Sequence, residues 1–314
     1  MKKLIIATRE SKLAMWQAEH IQARLQEAYP NMEVVINSMT SRGDQILDTP
    51  LAKIGGKGLF TKELENSMLA GESHIAVHSL KDVPMEFPEG LKLSVITKRH
   101  DPRDALLSQK YASIEALPQK AVVGTTSLRR RMQILKIRPD LTIKNLRGNV
   151  NTRIRKLKEG QYDAIILASS GIKRLGLQEE VKYFTPISEE LMIPAMGQAA
   201  LGIEIVDNPE IEKIISVLRD DDATVETTIE REFVRVLEGG CQVPIGINAK
   251  IDGADVNIQA LVGLPDGEEI IYESLTCKTT EYKTKGAEIA KRFIEKGAKE
   301  LLQRAEHIAM TEVF

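Results

Sequence analysis

The rhythm of the first two hundred residues constrains the fold more than any single motif does. Short apolar runs alternate with segments whose apolar residues recur at helical spacing, the pattern of strands and helices wound into an α/β sheet. It predicts strands over 3–7, 33–38, 74–78, 91–96, 121–124, 141–145, 163–168 and 201–206. Helices are predicted over 12–29, 59–70, 127–137, 149–159 and 209–219. The first helix carries Leu13, Trp16, Ile21, Leu25 and Ala28 on one face and stops at Pro30. Two polar breaks, TKRHDPRD (97–104) and ISEELMIPAMGQ (187–198), bracket one αβ block. A chain that leaves one block, builds a second and returns to the first makes two αβ lobes around a cleft. The expected domains are 1–97 with 198–218, and 98–197.

The last third changes character. A helix over 222–237 leads into strands over 243–251, 255–264 and 269–277, with an Asp-Gly turn at 266–267, and a helix over 281–304 follows. This predicts a small α+β domain, 219–314, built on a three-stranded antiparallel sheet.

Several function classes fall away on composition. Two cysteines without a CxxC pair do not make a secreted disulfide scaffold. The apolar run Leu4–Ala7 is too short for a signal-peptide core, and no segment reaches the ~20 apolar residues of a membrane span. A cytoplasmic protein with no membrane partner is expected. The histidines at 20, 74, 78, 100 and 307 show no zinc-type arrangement, so no metal is expected.

Net charge is only −2, yet the charge is unevenly placed. Residues 125–176 hold 13 Lys/Arg against three Asp/Glu, whereas 177–238 hold 15 acids against five bases. A basic αβ block in a nearly neutral chain is the footprint of an anionic ligand. GTTSLRRR (124–131) follows a predicted strand and opens a helix: Thr125, Thr126 and Ser127 can cap it, and Arg129 and Arg130 emerge in its first turn. LRGNVNTR (146–153) repeats the scheme with Arg147, Asn149 as cap, and Arg153. One such turn reads as solvated charge. Two turns with cations set against the helix dipole call for an anion between them. ATRES (7–11) offers Arg9 and Ser11 at a third such turn, and GIKRLGL (171–177) adds Lys173 and Arg174. Bidentate guanidinium contacts suit a ligand with several carboxylates.

Three stretches remain. KIGGKGLF (53–60) lacks P-loop spacing and reads either as a lid carrying Lys57 or as a plain flexible loop. HSLKDVP (78–84) places Ser79, Lys81 and Asp82 at a strand end, where Asp82 is either a turn former or a positioned carboxylate able to move a proton. LEGGCQVPIG (237–246) sets Cys241 on a glycine turn, either a small buried thiol or an anchor for a bulky group. Cys277, in a predicted strand, reads as structural.

Taken in order, ATRES, GGKGLFTKE, AVHSLKDVP, DPRDA, GTTSLRR, LRGNV-TR, YDAIILA-GI-RLG, IPA-GQ and EGGCQVPIG resemble the porphobilinogen deaminase family over nearly all of residues 5–250. Two departures stand out: Ala199 replaces an expected glycine after Gln198, and Thr126 replaces a usual serine. The resemblance implies three domains, the first two similar to periplasmic binding proteins. It implies a transferase of tetrapyrrole biosynthesis that joins four porphobilinogen molecules with loss of ammonia and then releases a linear tetrapyrrole by hydrolysis. It also implies a dipyrromethane cofactor joined by a thioether to Cys241, and a catalytic role for Asp82. Arg9, Ser11, Lys57, Ser79, Lys81, Thr125, Ser127, Arg129, Arg130, Arg147, Arg153 and Arg174 match positions that hold carboxylates of cofactor or substrate. A monomer is expected. The residues alone also admit an anion-binding protein or a nucleic-acid module. The GGC turn argues against the first; scarce aromatics, 4% of the chain, argue against the second and no nucleic-acid partner is expected.

Overall fold

The computed structural model describes residues 1–41, 43, 61–239 and 243–311. Among them the chain forms two compact units. The first holds the described residues up to 100 together with 199–224; the second holds 101–198 and 225–311.

The first unit is built on β1 (Lys3–Arg9), β2 (Glu33–Met39), β3 (Ile75–Ser79), β4 (Leu91–Ile96) and β10 (Leu201–Val206), in the order β2-β1-β3-β10-β4. β1 runs parallel to β2 and β3, whereas β10 is antiparallel to both its neighbours. Helix α1 (Lys12–Ala28) covers one face, where Ile21 and Leu25 join Leu4, Ile6, Ile75 and Ile203 in the core. Helix α2 (Lys62–Leu69) covers the other face through Leu64 and Met68, which meet Ala7 and Ala76. Each fully buried Leu or Ile contributes roughly 1.5–3 kcal/mol, so these two layers hold the sheet.

The second unit repeats this plan. β5 (Asp104–Ser108), β6 (Val122–Gly124), β7 (Thr142–Lys144), β8 (Ala164–Ala168) and β9 (Tyr183–Pro186) lie in the order β7-β6-β8-β5-β9. The first three are parallel and β5 is antiparallel to its neighbours. Helices α3 (Leu128–Ile137), α4 (Val150–Lys158) and α5 (Ser169–Arg174) each follow one of the parallel strands. After α6 (Pro209–Ile215) and α7 (Asp221–Val236) comes the antiparallel sheet β11 (Ile245–Asp252), β12 (Asp255–Gly263), β13 (Ile270–Lys278). Helices α8 (Tyr282–Glu295) and α9 (Ala298–Thr311) complete it. Phe233 of α7 meets Phe293 of α8 edge to face, with ring centroids 5.0 Å apart. The molecule is thus an α/β protein of two five-stranded mixed sheets and one three-stranded antiparallel sheet.

The structure differs from the sequence expectation in several places, and the short helix α5 is one that was not predicted. β5 and β9 were not predicted: β5 starts at Asp104, inside the expected polar break. The helix expected over 281–304 is two helices, α8 and α9. Gly297 has φ +90° between them, a left-handed conformation that ends one helix and lets the next begin. The helix expected to run to 219 leaves α geometry after Ile215 and closes with a 3₁₀ turn, Ser216–Leu218.

Among the described residues no helix is long and apolar enough to cross a membrane.

Candidate active site

In each five-stranded sheet the predicted site residues gather at the carboxyl ends of the parallel strands. Ligands of open α/β sheets bind at that edge, because helices start there and present free N–H groups.

In the first unit β1 ends at Arg9, and Ser11 caps α1 by accepting the Ala14 N–H at 3.3 Å. That bond uses an acceptor lone pair and leaves the Ser11 hydroxyl proton to donate. Beside β1, β3 ends at Ser79 and passes into a 3₁₀ turn, Leu80–Asp82. Leu80 is buried and anchors the turn, while Asp82 is exposed and Lys81 half-buried. Gln17, buried on α1, donates from Nε2 to Ser79 Oγ at 2.8 Å and ties the helix to this strand end. Arg9, Ser11, Ser79, Lys81 and Asp82 therefore share one edge of one sheet. Lys57 lies outside the described residues.

The second unit carries the cations. Thr125, buried after β6, accepts the Ser127 N–H through Oγ1, and Ser127 caps α3 by accepting the Arg130 N–H. Arg129 and Arg130 follow in the first turn, both buried. After β7 the Asn149 side chain caps α4 by accepting the Thr152 N–H. Half-buried Arg147 and Arg153 flank that cap, with Arg153 Nε donating to Gly148 O at 2.7 Å. Arg174 closes α5, the helix after β8. Burial disfavours the charge on several of these groups: it lowers the Arg147 pKa and pushes Arg174 down to about 10.

An anion does stand among the paired arginines, and it comes from the chain itself. Asp104, fully buried, accepts from Arg129 Nη1 at 2.7 Å and from Arg130 Nε and Nη2 at 3.0 and 2.7 Å. Desolvation works against its charge, yet Arg129 and Arg130 hold its carboxyl well below the usual carboxylate range. The sequence reading missed Asp104. It opens β5, and because β5 runs antiparallel to β8 its first residue reaches the carboxyl edge opposite Ala168. The acid in DPRDA was visible, but its partners lie 25 and 26 residues further on. A second missed pair lies inside the first unit, where buried His78 and Glu204 meet at 2.9 Å.

Cys241 lies outside the described residues. On one side of it α7 ends with Glu238 at φ +57° and a bond from Gly239 N–H to Val234 O. On the other side β11 begins.

The domain family described as "Porphobilinogen deaminase, dipyromethane cofactor binding domain" matches residues 4–213, and "Porphobilinogen deaminase, C-terminal domain" matches 224–295. The chain belongs to the porphobilinogen deaminase family. It is 58% identical over 310 residues to porphobilinogen deaminase of Aliarcobacter butzleri, a match that covers 98% of this chain and 99% of the relative. It is 62% identical over 307 residues to that of Sulfurimonas denitrificans, covering 98% of each chain. Among solved structures, the methionine-binding protein MetQ overlaps 71% of this chain and 92% of its own at 12% identity, with a TM-score of 0.45.

Proposed function

We propose that this transferase, which joins porphobilinogen units into hydroxymethylbilane, divides its work between the two sheet edges. The single observation that carries this reading is the segregation of charge. The second unit's edge gathers Arg129, Arg130, Arg147, Arg153 and Arg174, while the first unit's edge sets the exposed carboxylate of Asp82 beside Arg9 and Lys81.

The second edge fits a group with several carboxylates. Its cations are buried or half-buried, so a ligand carboxylate would meet them with little competition from water. Arg129, Arg130, Arg147, Arg153 and Arg174 would hold carboxylates of the dipyrromethane and of the growing chain, with Thr125 and Ser127 donating hydroxyl hydrogen bonds. Arg9, Ser11, Lys57, Ser79 and Lys81 would do the same at the first edge. Cys241 would hold the cofactor through a thioether. When bound, the dipyrromethane supplies the pyrrole carbon to which substrate is joined. Asp82 would accept hydrogen bonds from pyrrole N–H groups, stabilise the positive charge that develops on substrate as ammonia leaves, and take and return a proton. The chain's residues divide into domains 1–97 with 198–218, 98–197, and 219–314. It acts as a cytoplasmic monomer.

The test is the intact mass of the purified protein beside that of a Cys241→Ser variant. An excess equal to two linked pyrrole units, absent from the variant, is expected. A bare polypeptide mass that stays bare after incubation with porphobilinogen would sink the attachment.

A further inference from the structure

Asp104 is not an ordinary ion-pair partner. Both its oxygens are fully engaged: Oδ2 accepts from Arg129, and Oδ1 accepts from Arg130 twice and from Gln198 Nε2 at 3.0 Å. Backbone carbonyls also accept from the same guanidiniums. Arg130 Nη1 donates to Ile166 O at 3.0 Å, and Arg129 Nη1 donates to Ile193 O at 2.7 Å. Gln133 grips the same residue: its Nε2 donates to Ile193 O, and its Oε1 accepts the Ile193 N–H. Arg130 is thus held through all three of its guanidinium nitrogens, and Arg129 through Nη1 alone.

The charges do not balance. Two guanidiniums, 4% and 6% exposed, share one carboxylate. A network that served only folding would be expected to come out neutral, because an uncompensated buried charge is costly. Arg129 meets Asp104 through one terminal nitrogen only, and its Nε and Nη2 have no hydrogen bond to a described residue. One positive charge and one free edge of a guanidinium remain at the carboxyl edge of the sheet.

We propose that Asp104 is a positioning residue: it orients Arg129 and Arg130 for a single incoming carboxylate and keeps their excess at one charge rather than two. This rests on the reading of Arg129 and Arg130 as holders of cofactor carboxylate. A carboxylate that serves only folding changes how much enzyme folds, whereas a positioning one leaves the fold intact and lowers both loading and the rate at which each loaded molecule turns over.

The experiment compares Asp104→Asn, Asp104→Glu and Arg129→Ala with wild type. Intact mass gives the fraction carrying the two-ring group, far-UV circular dichroism checks folding, and kcat is expressed per loaded molecule with KM measured separately. Asp104→Asn is expected to lower kcat per loaded molecule by about tenfold or more, the scale of a misplaced reacting group, with KM changed much less. Asp104→Glu, which keeps the charge but shifts it by one methylene, is expected to show the same direction, and it decides the matter if Asp104→Asn does not fold. A kcat per loaded molecule within about twofold of wild type in the folded variant overturns the proposal. If that happens while Arg129→Ala is defective, only the role of Asp104 falls. If Arg129→Ala itself loads and turns over normally, the reading of the arginines falls, and the proposal with it.

Discussion

The two five-stranded sheets share one pattern of strand directions and differ in chemistry. Their antiparallel strand comes last along the chain in the first sheet and first in the second. Each has three parallel strands, one antiparallel strand and an outer edge strand, and each gathers its polar residues where the parallel strands end. At that edge the first sheet exposes Asp82 on a short 3₁₀ turn anchored by Leu80. The second buries Arg129 and Arg130 around Asp104. The shared topology supplies a place and a set of helix N-termini; the residues decide what that place presents, an exposed carboxylate in one sheet and buried guanidiniums in the other. The sheets also admit their antiparallel strands differently. β10 is entered through Ala199, at φ +79°. β5 is entered through Asp101, which accepts from Arg103 and Lys173, and through Asp104.

The sharpest way to break this division is Asp82→Asn. The family cofactor is expected to remain attached while turnover falls about 10²–10⁴-fold, the usual worth of a positioned acid–base group. A rate near wild type in single-turnover assays would move proton transfer away from the first sheet. The next largest effect is expected from Arg129→Ala, which should purify mostly as apoprotein by intact mass. Loading to the wild-type extent would show that the second sheet does not hold the cofactor's carboxylates.

Smaller changes probe the strand entries. Desolvation opposes the charge on Asp101, but Arg103 and Lys173 hold its carboxyl well below the usual range. Its contribution is therefore present above the unfolded pKa of about 4 and is lost as pH falls further. Asp101→Asn should lower stability at neutral pH and flatten the acid limb of the stability curve below about pH 4, as read by urea unfolding across pH. An unchanged acid limb would mean the ion pairs contribute nothing. Ala199→Gly should raise stability by about 0.5–1 kcal/mol, because relief of left-handed strain at a β-carbon exceeds glycine's entropy cost in the unfolded chain. A drop in melting temperature would contradict that strain.

Much of this was legible in the sequence, for identifiable reasons. Strands and helices with a full apolar stripe, such as α1 and β8, appear within a residue or two of their predicted bounds. The strand-end turns carrying Arg9, Asp82, Arg129 and Arg147 were legible because caps and glycines punctuate them. β5 was hidden because an acid opens it directly after a Pro-Arg pair, against strand propensity, and tertiary pairing with two distant arginines outweighs that. β9 is four residues long and ends in proline. The break at Gly297 was hidden because an isolated glycine is tolerated within a helical pattern. Ala199 shows the reverse case: the missing glycine was visible in the motif, and the structure shows the backbone still takes the glycine-like conformation.

The strand order also fixes a timetable for synthesis. β5 through β9 leave the ribosome as one uninterrupted run, so the second sheet has all its strands once residue 186 is out. The first sheet does not, because β10 alone joins β3 to β4 and is translated last. From the end of β4 to the start of β10 roughly 5–20 s pass at ordinary translation rates. Through that interval β4 has no neighbour and β3 has a bare edge, the condition in which nascent chains recruit the wrong strand. Of the two five-stranded sheets, the one encoded first closes second, and its quality as a nascent chain depends on how well the inserted sheet behaves while it waits.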